Sequence, residues 1–194
     1  MEPHSEELGW IERSQQGDHA AFAQLVEAYQ GPVYNLAYRM LHDAGEAEDA
    51  TQEIFLRAYT KLVMYDRERK FITWLLSIAS NYCIDQLRRR RANVVTLDDI
   101  AYAIPSTVAG PERRALDQEQ RTAIQRAVNQ LPDTYRLITV LRYYQDFSYE
   151  EIEAITGLSE ATVKTRLFRA RRMLQELLIK EGGVPWIVEP AVHS

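Results

Sequence analysis

Residues 148–174 read SYEEIEAITGLSEATVKTRLFRARRML, and two helical patterns meet within them around a short turn. Ser148 stands where an N-cap is needed, Glu151 three residues on completes a capping box, and Ile152 and Ile155 form the apolar face of the first helix. Thr156 to Ser159 turn the chain at Gly157, a residue that accepts positive φ without a steric penalty, and Ser159 is placed to cap the second helix. At about 100° per residue, Val163, Leu167, Ala170 and Leu174 of that helix fall on one stripe. Ala161, Thr165, Phe168, Arg169 and Arg172 fall opposite it, and Lys164, Arg166 and Arg171 flank it. The pattern is a helix-turn-helix whose second helix is buried on one side and cationic around the rest. Such a helix suits a major groove, where Arg and Lys reach guanine edges or phosphates. A solvated basic helix of an ordinary bundle would share the charges; the turn, both caps and the stripe together favour DNA binding.

The charge of the whole chain narrows that reading. Over 194 residues, 23 Lys and Arg against 28 Asp and Glu leave a formal net charge of -5. A protein of this balance does not coat nucleic acid through its overall field, so DNA contact must come from local basic surfaces. Arg88 to Arg91 form one such run and Lys164 to Arg172 a second, whereas Asp43, Glu46, Glu48, Asp49 and Glu53 gather negative charge. No apolar run is long enough to span a bilayer and Met1 to Gln16 lacks a secretory signal pattern, so the expected location is the cytoplasm. A single cysteine, Cys83, excludes an intramolecular disulfide and a cysteine-rich zinc site, and its apolar helical context makes it a packing residue. There is no nucleotide-binding glycine loop, no paired histidine motif and no nucleophile elbow. No enzymatic activity, cofactor or metal is expected.

Outward from the helix-turn-helix, the periodicity is helical almost throughout, which predicts an all-α fold. A first helix is expected from about Glu6 to Gln16, stopping at Gly17; Asp18 then caps a second with Phe22, Leu25, Val26 and Tyr29 on one face. Gly31-Pro32 is expected to break it, with Val33, Leu36, Ala37, Met40 and Leu41 continuing the pattern afterwards. Glu46 to Val63 reads as a long helix on an inner stripe of Ala47, Ala50, Ile54, Ala58 and Leu62. Val63 to Lys70, with five charged residues, reads as an exposed loop, and Phe71, Trp74, Leu75, Ile78, Tyr82 and Leu87 as the buried stripe of the next helix. Asn93 to Leu116 mixes Pro and Gly with Thr, Ser and Asp, as a flexible linker does. The division that follows is residues 1–92 as one domain, 93–118 as linker, 119–181 as a second domain and 182–194 as a tail. In that tail Trp186, Ile187 and Val188 suggest a short docking segment beside the default of a loose terminus.

Four segments in order, GDHAAFAQLVEAYQGPVYNLAYRML, AEDATQEIFLRAY, FITWLLSIASNYCIDQLRRRR and LPDTYRLITVLRYYQDFSYEEIEAITGLSEATVKTRLFRARRML, resemble the extracytoplasmic-function sigma factors of the sigma-70 superfamily. The resemblance covers about residues 10 to 178 and implies two small helical domains, a sigma domain 2 bundle and a sigma domain 4 helix-turn-helix. It implies a non-enzymatic subunit that binds core RNA polymerase and directs promoter-specific initiation by reading minus-10 and minus-35 elements. It further implies a monomer when free, control by an anti-sigma factor, and no small-molecule substrate.

The resemblance also carries residue roles. Asp49, Gln52 and Glu53 would dock on the clamp coiled coil of the largest polymerase subunit; taken alone they are also an ordinary solvated acidic face. The minus-10 surface would comprise Arg67, Arg69 and Lys70 of the loop with Asn81, Asp85 and Arg88 of the following helix, and Tyr65 as the loop aromatic facing an unstacked base. Phe71 and Trp74 are read as core instead. In the second domain Lys164, Thr165, Phe168 and Arg169 would contact bases or the groove of the minus-35 element, with Arg166, Arg171 and Arg172 on phosphates and Arg136 and Arg142 on flanking phosphates. Two departures stand out: Ala161 where the family commonly has Gly, and Leu76-Ser77 where a Tyr-Arg pair is frequent. The rival readings are a dimeric DNA-binding regulator outside the polymerase and an adaptor that binds only proteins; joining core polymerase as a single subunit separates them from a sigma factor.

Overall fold

The computed structural model describes residues 3–94 and 122–180. The linker 93–118 and the tail 182–194 therefore lie almost wholly outside the described residues. The fold is all-α. Helices α1 (Pro3–Gln15), α2 (His19–Leu41), α3 (Ala44–Lys61) and α4 (Phe71–Val94) form the first unit, with a 3-10 turn at Leu62–Met64. Helices α5 (residues 122–130), α6 (Asp133–Tyr143), α7 (Tyr149–Thr156) and α8 (Glu160–Lys180) form the second.

Local chemistry sets most boundaries. Asp18 caps α2 by accepting from the amides of Ala20 and Ala21, and Asp43 caps α3 by accepting from that of Glu46. Gly17, at φ +92°, closes the turn after α1. The expected break at Gly31-Pro32 does not occur: α2 runs through Pro32 for 23 residues. An internal proline costs about 3 kcal/mol. Continuing the helix buries Val33, Leu36, Met40 and Leu41 in the same core as Leu25, and at roughly 1.5–3 kcal/mol per large apolar side chain that burial outweighs the proline. The α4 stripe is also wider than its period suggests, since Leu76, Ala79 and Cys83 are fully buried beside Phe71 and Leu75. Leu76, at a departure from the family pattern, is thus a packing residue.

The two units pack directly on one another. Leu137, Ile138, Val140 and Leu141 of α6, Ile152 and Ile155 of α7, and Val163 and Leu167 of α8 join one hydrophobic core with the first unit. Polar contacts stitch the seam: Gln145 Nε2 donates to the Pro32 carbonyl at 3.0 Å, the Arg39 guanidinium lies 3.6 Å over the Tyr144 ring, and Arg91 pairs with Asp133.

At the C-terminus of α2 the last carbonyls lack helical partners, and cations supply them. Arg90 of α4 donates to Leu41 O and Arg136 of α6 to Met40 O, both at 3.0 Å. His42 sits beside them at φ +64°, and burial, then the charges of Arg136 and Arg90, push its imidazole down to about 4. The unfolded chain therefore binds a proton near pH 6.5 that the folded chain refuses until about pH 4. This contribution is complete above pH 6.5 and is lost as pH falls through that window. His42→Asn, which tolerates the left-handed backbone, is expected to remove about 2 kcal/mol of the stability lost between pH 7 and pH 5. Urea unfolding at both pH values checks this; an unchanged pH slope in the variant refutes it.

Candidate nucleic-acid interface

The helix-turn-helix forms as its residues dictate. Ser148 and Glu151 make a reciprocal capping box, Gly157 closes α7 at φ +70°, and Ser159 Oγ accepts from the Thr162 amide at 3.4 Å. Glu153 adds a second cap across the turn, accepting from the Glu160 amide at 3.0 Å. These contacts hold α8 at a set angle to α7. Val163, Leu167, Ala170 and Leu174 are buried, as the stripe requires, and Leu178 extends it.

The opposite face of α8 is open. Lys164, Thr165, Phe168, Arg169 and Arg172 are exposed, Phe168 at 60%, and Arg166 is half-buried. Lys164 pairs with Glu160 at 2.5 Å, which raises its ammonium above the ordinary lysine value, and Thr165 donates to the Ala161 carbonyl at 2.9 Å. Arg171 is turned sideways, its Nε donating to Tyr143 Oη at 2.6 Å. An exposed phenylalanine among four cations offers an apolar surface for thymine methyls beside donors for base edges and phosphates.

Two arginines expected at flanking phosphates belong elsewhere. Arg136 is 7% exposed and gives its hydrogens to the carbonyls of Met40, Asn129 and Leu131, so it caps the ends of α2 and α5. Burial lowers its guanidinium to about 10, still charged at neutral pH. Arg142 is half-buried, donating to Phe147 O at 3.0 Å with its guanidinium 5.3 Å over the Tyr149 ring. Arg142 folds back on a carbonyl five residues on, and Arg136 joins nearby carbonyls to one, Met40 O, that is 96 residues away in the chain.

On the first unit, Asn81, Asp85 and Arg88 are exposed along one side of α4, with Arg88 and Asp85 3.9 Å apart. The loop before α4 departs from expectation at Tyr65. This residue is 7% exposed; its hydroxyl donates to the Arg69 carbonyl, and its ring meets Phe71 edge-on at 5.4 Å and Trp74 at 5.1 Å. Tyr65 folds the loop over the core and so cannot offer its face to an unstacked base here. Phe71, 2% exposed, and the half-buried Trp74 are core, as their spacing predicts. The loop cations are all engaged. Arg67 binds Glu12 at 2.6 Å and Gln15 at 2.9 Å on α1, Arg69 caps α7 through Ala154 O at 2.6 Å, and Lys70 pairs with Glu151 at 2.7 Å. The Lys70 bond depresses the Glu151 carboxyl below its usual value.

On α3, Asp49 and Gln52 are exposed and Glu53 is half-buried, paired with Arg57 at 2.8 Å. Sequence reading missed Leu56, which is 63% exposed on the same side of α3; Val63 and Met64, at 76% and 82%, are open as the loop reading expects. The signal was available for Leu56, a large apolar residue off the inner stripe and spaced three, four and seven positions from Glu53, Gln52 and Asp49.

The likeness to known proteins matches this arrangement. A family model described as sigma-70 region 2 matches residues 25–93, and one described as sigma-70, region 4 matches residues 121–174. The chain is 37% identical over 176 residues to the ECF RNA polymerase sigma factor SigW of Bacillus subtilis, covering 87% of this chain and 94% of that protein. It is similar to the sigma factor RpoE solved in complex with the anti-sigma factor NepR from Bartonella quintana, with a TM-score of 0.64 at 29% identity over 81% of this chain and 96% of that one. A second likeness is to CnrH, solved in complex with the cytosolic domain of CnrY, with a TM-score of 0.66 at 26% identity over 91% and 99% of the two chains.

Proposed function

The chain belongs to the extracytoplasmic-function RNA polymerase sigma factors of the sigma-70 family, a non-enzymatic family, and from that premise we propose how its surfaces divide the work of initiation. Residues 1–92 bind core polymerase and the minus-10 element; residues 119–181 read the minus-35 element. The observation that carries this division is the open cationic face of α8 set on a fully buried stripe, in the unit matched by sigma region 4. Lys164, Thr165, Phe168 and Arg169 address bases and the groove, while Arg166, Arg171 and Arg172 address phosphates. Asp49, Gln52 and Glu53, with Leu56 as an apolar anchor, address the basic clamp helices of the largest polymerase subunit.

Asn81, Asp85 and Arg88 face the minus-10 strand. Arg67 joins them only when Glu12 and Gln15 of α1 release it, and Arg69 and Lys70 only when α7 leaves them as polymerase spreads the two units. The Lys70–Glu151 pair opposes this weakly, because the Lys70 side chain is 69% exposed and such pairs are worth about 0–1 kcal/mol. An anti-sigma factor is the further partner, as the Bartonella quintana relative was solved with one; it would hold the units together or cover their outer faces.

Run-off transcription with purified core polymerase tests the reading. The protein is expected to join core polymerase as a single subunit and start transcripts at a defined promoter; failure of both rejects it. Lys164→Ala with Arg169→Ala is expected to lower minus-35-dependent initiation at least about 30-fold, from roughly 1–3 kcal/mol for each of two base contacts. Core binding should stay unchanged, and equal loss on promoters lacking a minus-35 element would reassign these residues.

A further inference from the structure

Beside the DNA-facing side of α8 runs a groove of about 730 Å³ between α5, α6 and α8, with Arg39 of α2 also in its lining. Its floor is apolar, with Ile124, Val128, Leu174 and Leu178, and its far end carries Phe168 and Arg172. Arg172 is exposed and makes no ion pair among the described residues. An apolar trough with an exposed cation at its end fits an apolar segment that ends in an acid.

The residues that follow α8 have that chemistry. After Lys180 the sequence runs Glu181-Gly182-Gly183-Val184-Pro185-Trp186-Ile187-Val188-Glu189. Two glycines permit a sharp reversal, Pro185 favours an extended approach at Val184, three apolar residues follow, and Glu189 comes last. The lengths agree. From Leu178 back to Phe168 is ten residues of helix, about 15 Å at 1.5 Å per residue. Val184 to Glu189, extended, spans roughly 20 Å. A reversal at the glycines would lay Trp186 to Val188 antiparallel along the floor and bring Glu189 to Arg172.

We infer that residues 184–189 dock intramolecularly in this groove and cover Phe168 and Arg172. The docking stands on groove and segment; its consequence, competition with promoter DNA, rests on the proposed minus-35 role of α8. The segment is then an internal competitor for the DNA face, displaced when polymerase presents the promoter.

Photocrosslinking from benzoylphenylalanine placed at position 186 of the full chain, mapped by mass spectrometry, decides it. Expected are intramolecular crosslinks to the groove residues of α5 and α8, lost on Glu189→Lys together with Ile187→Ser. Crosslinks confined to other surfaces, or formed only between two copies, overturn the docking. In parallel, Trp186→Ser is expected to raise the free protein's affinity for a minus-35 duplex about 3- to 10-fold. Groove crosslinks with unchanged DNA affinity would uphold the docking and count against the DNA role of α8, so the two failures are distinguishable.

Discussion

Asp49→Lys combined with Glu53→Lys is expected to weaken binding to core polymerase at least 100-fold and to abolish transcription at limiting protein. The two positions are one turn apart on α3, Asp49 exposed and Glu53 half-buried, with exposed Gln52 and Leu56 between and beside them. Reversal replaces two attractions to a basic partner by two repulsions. Close charge pairs across interfaces couple by about 1.5–7 kcal/mol, and 100-fold corresponds to about 2.7 kcal/mol. The fold should survive: Glu53→Lys opposes Arg57, now 2.8 Å from Glu53, and a like-charged i,i+4 pair costs only about 0.2–0.5 kcal/mol. Fluorescence anisotropy against core polymerase at low salt measures the affinity, and thermal melting measures the fold. Affinity within threefold of the parent chain would remove α3 from the polymerase interface.

Arg136→Ala should destabilise the protein by about 3–5 kcal/mol and loosen the two units. One guanidinium supplies the terminal carbonyls of two helices, Met40 O at 3.0 Å, Asn129 O at 2.6 Å and Leu131 O at 3.0 Å. Alanine leaves three carbonyls without donors and a cavity where α2, α5 and α6 meet; removing one partner of a buried charged network costs in this range. Arg136→Lys restores little, because a point charge with three hydrogens does not match a planar fork. Gln145→Ala, which removes one bond to Pro32 O, should cost only about 1 kcal/mol. Urea unfolding gives the energies and small-angle scattering the separation of the units. A loss under 1 kcal/mol for Arg136→Ala would mean that water replaces the guanidinium, and that the units are held by their apolar seam and the other polar contacts across it.

Arg136 also shows where reading the chain stops. As one cation in DTYRLITVLRY it resembles a phosphate contact; the end of α5 just before it and the approach of α2, 96 residues earlier, make it a cap of two helices. Tyr65 is misread in the same way, a lone aromatic in a charged loop until Phe71 and Trp74 close on it. Pro32 breaks a helix by local rules, and only the shared burial of Leu25 and Leu36 overrules them. The helix-turn-helix needed no such help. Its capping box, its glycine at positive φ and its buried stripe each involve residues within about four positions of one another, and interactions of that range are written in order along the chain.

The sequence alone therefore determined an all-α chain of two units, the helix-turn-helix with its outward cations, and the family to which the ordered segments point. Tertiary structure alone decided which cations remain available. Arg169 and Arg172 stay exposed with no ion pair among the described residues, whereas Arg69 and Lys70 are bonded to α7 and Arg136 to helix ends, one of them far away in the chain. The reason is physical: a charged side chain takes its partner from whatever carbonyl or carboxylate folding brings near, and that neighbour is not set by the residues on either side of it.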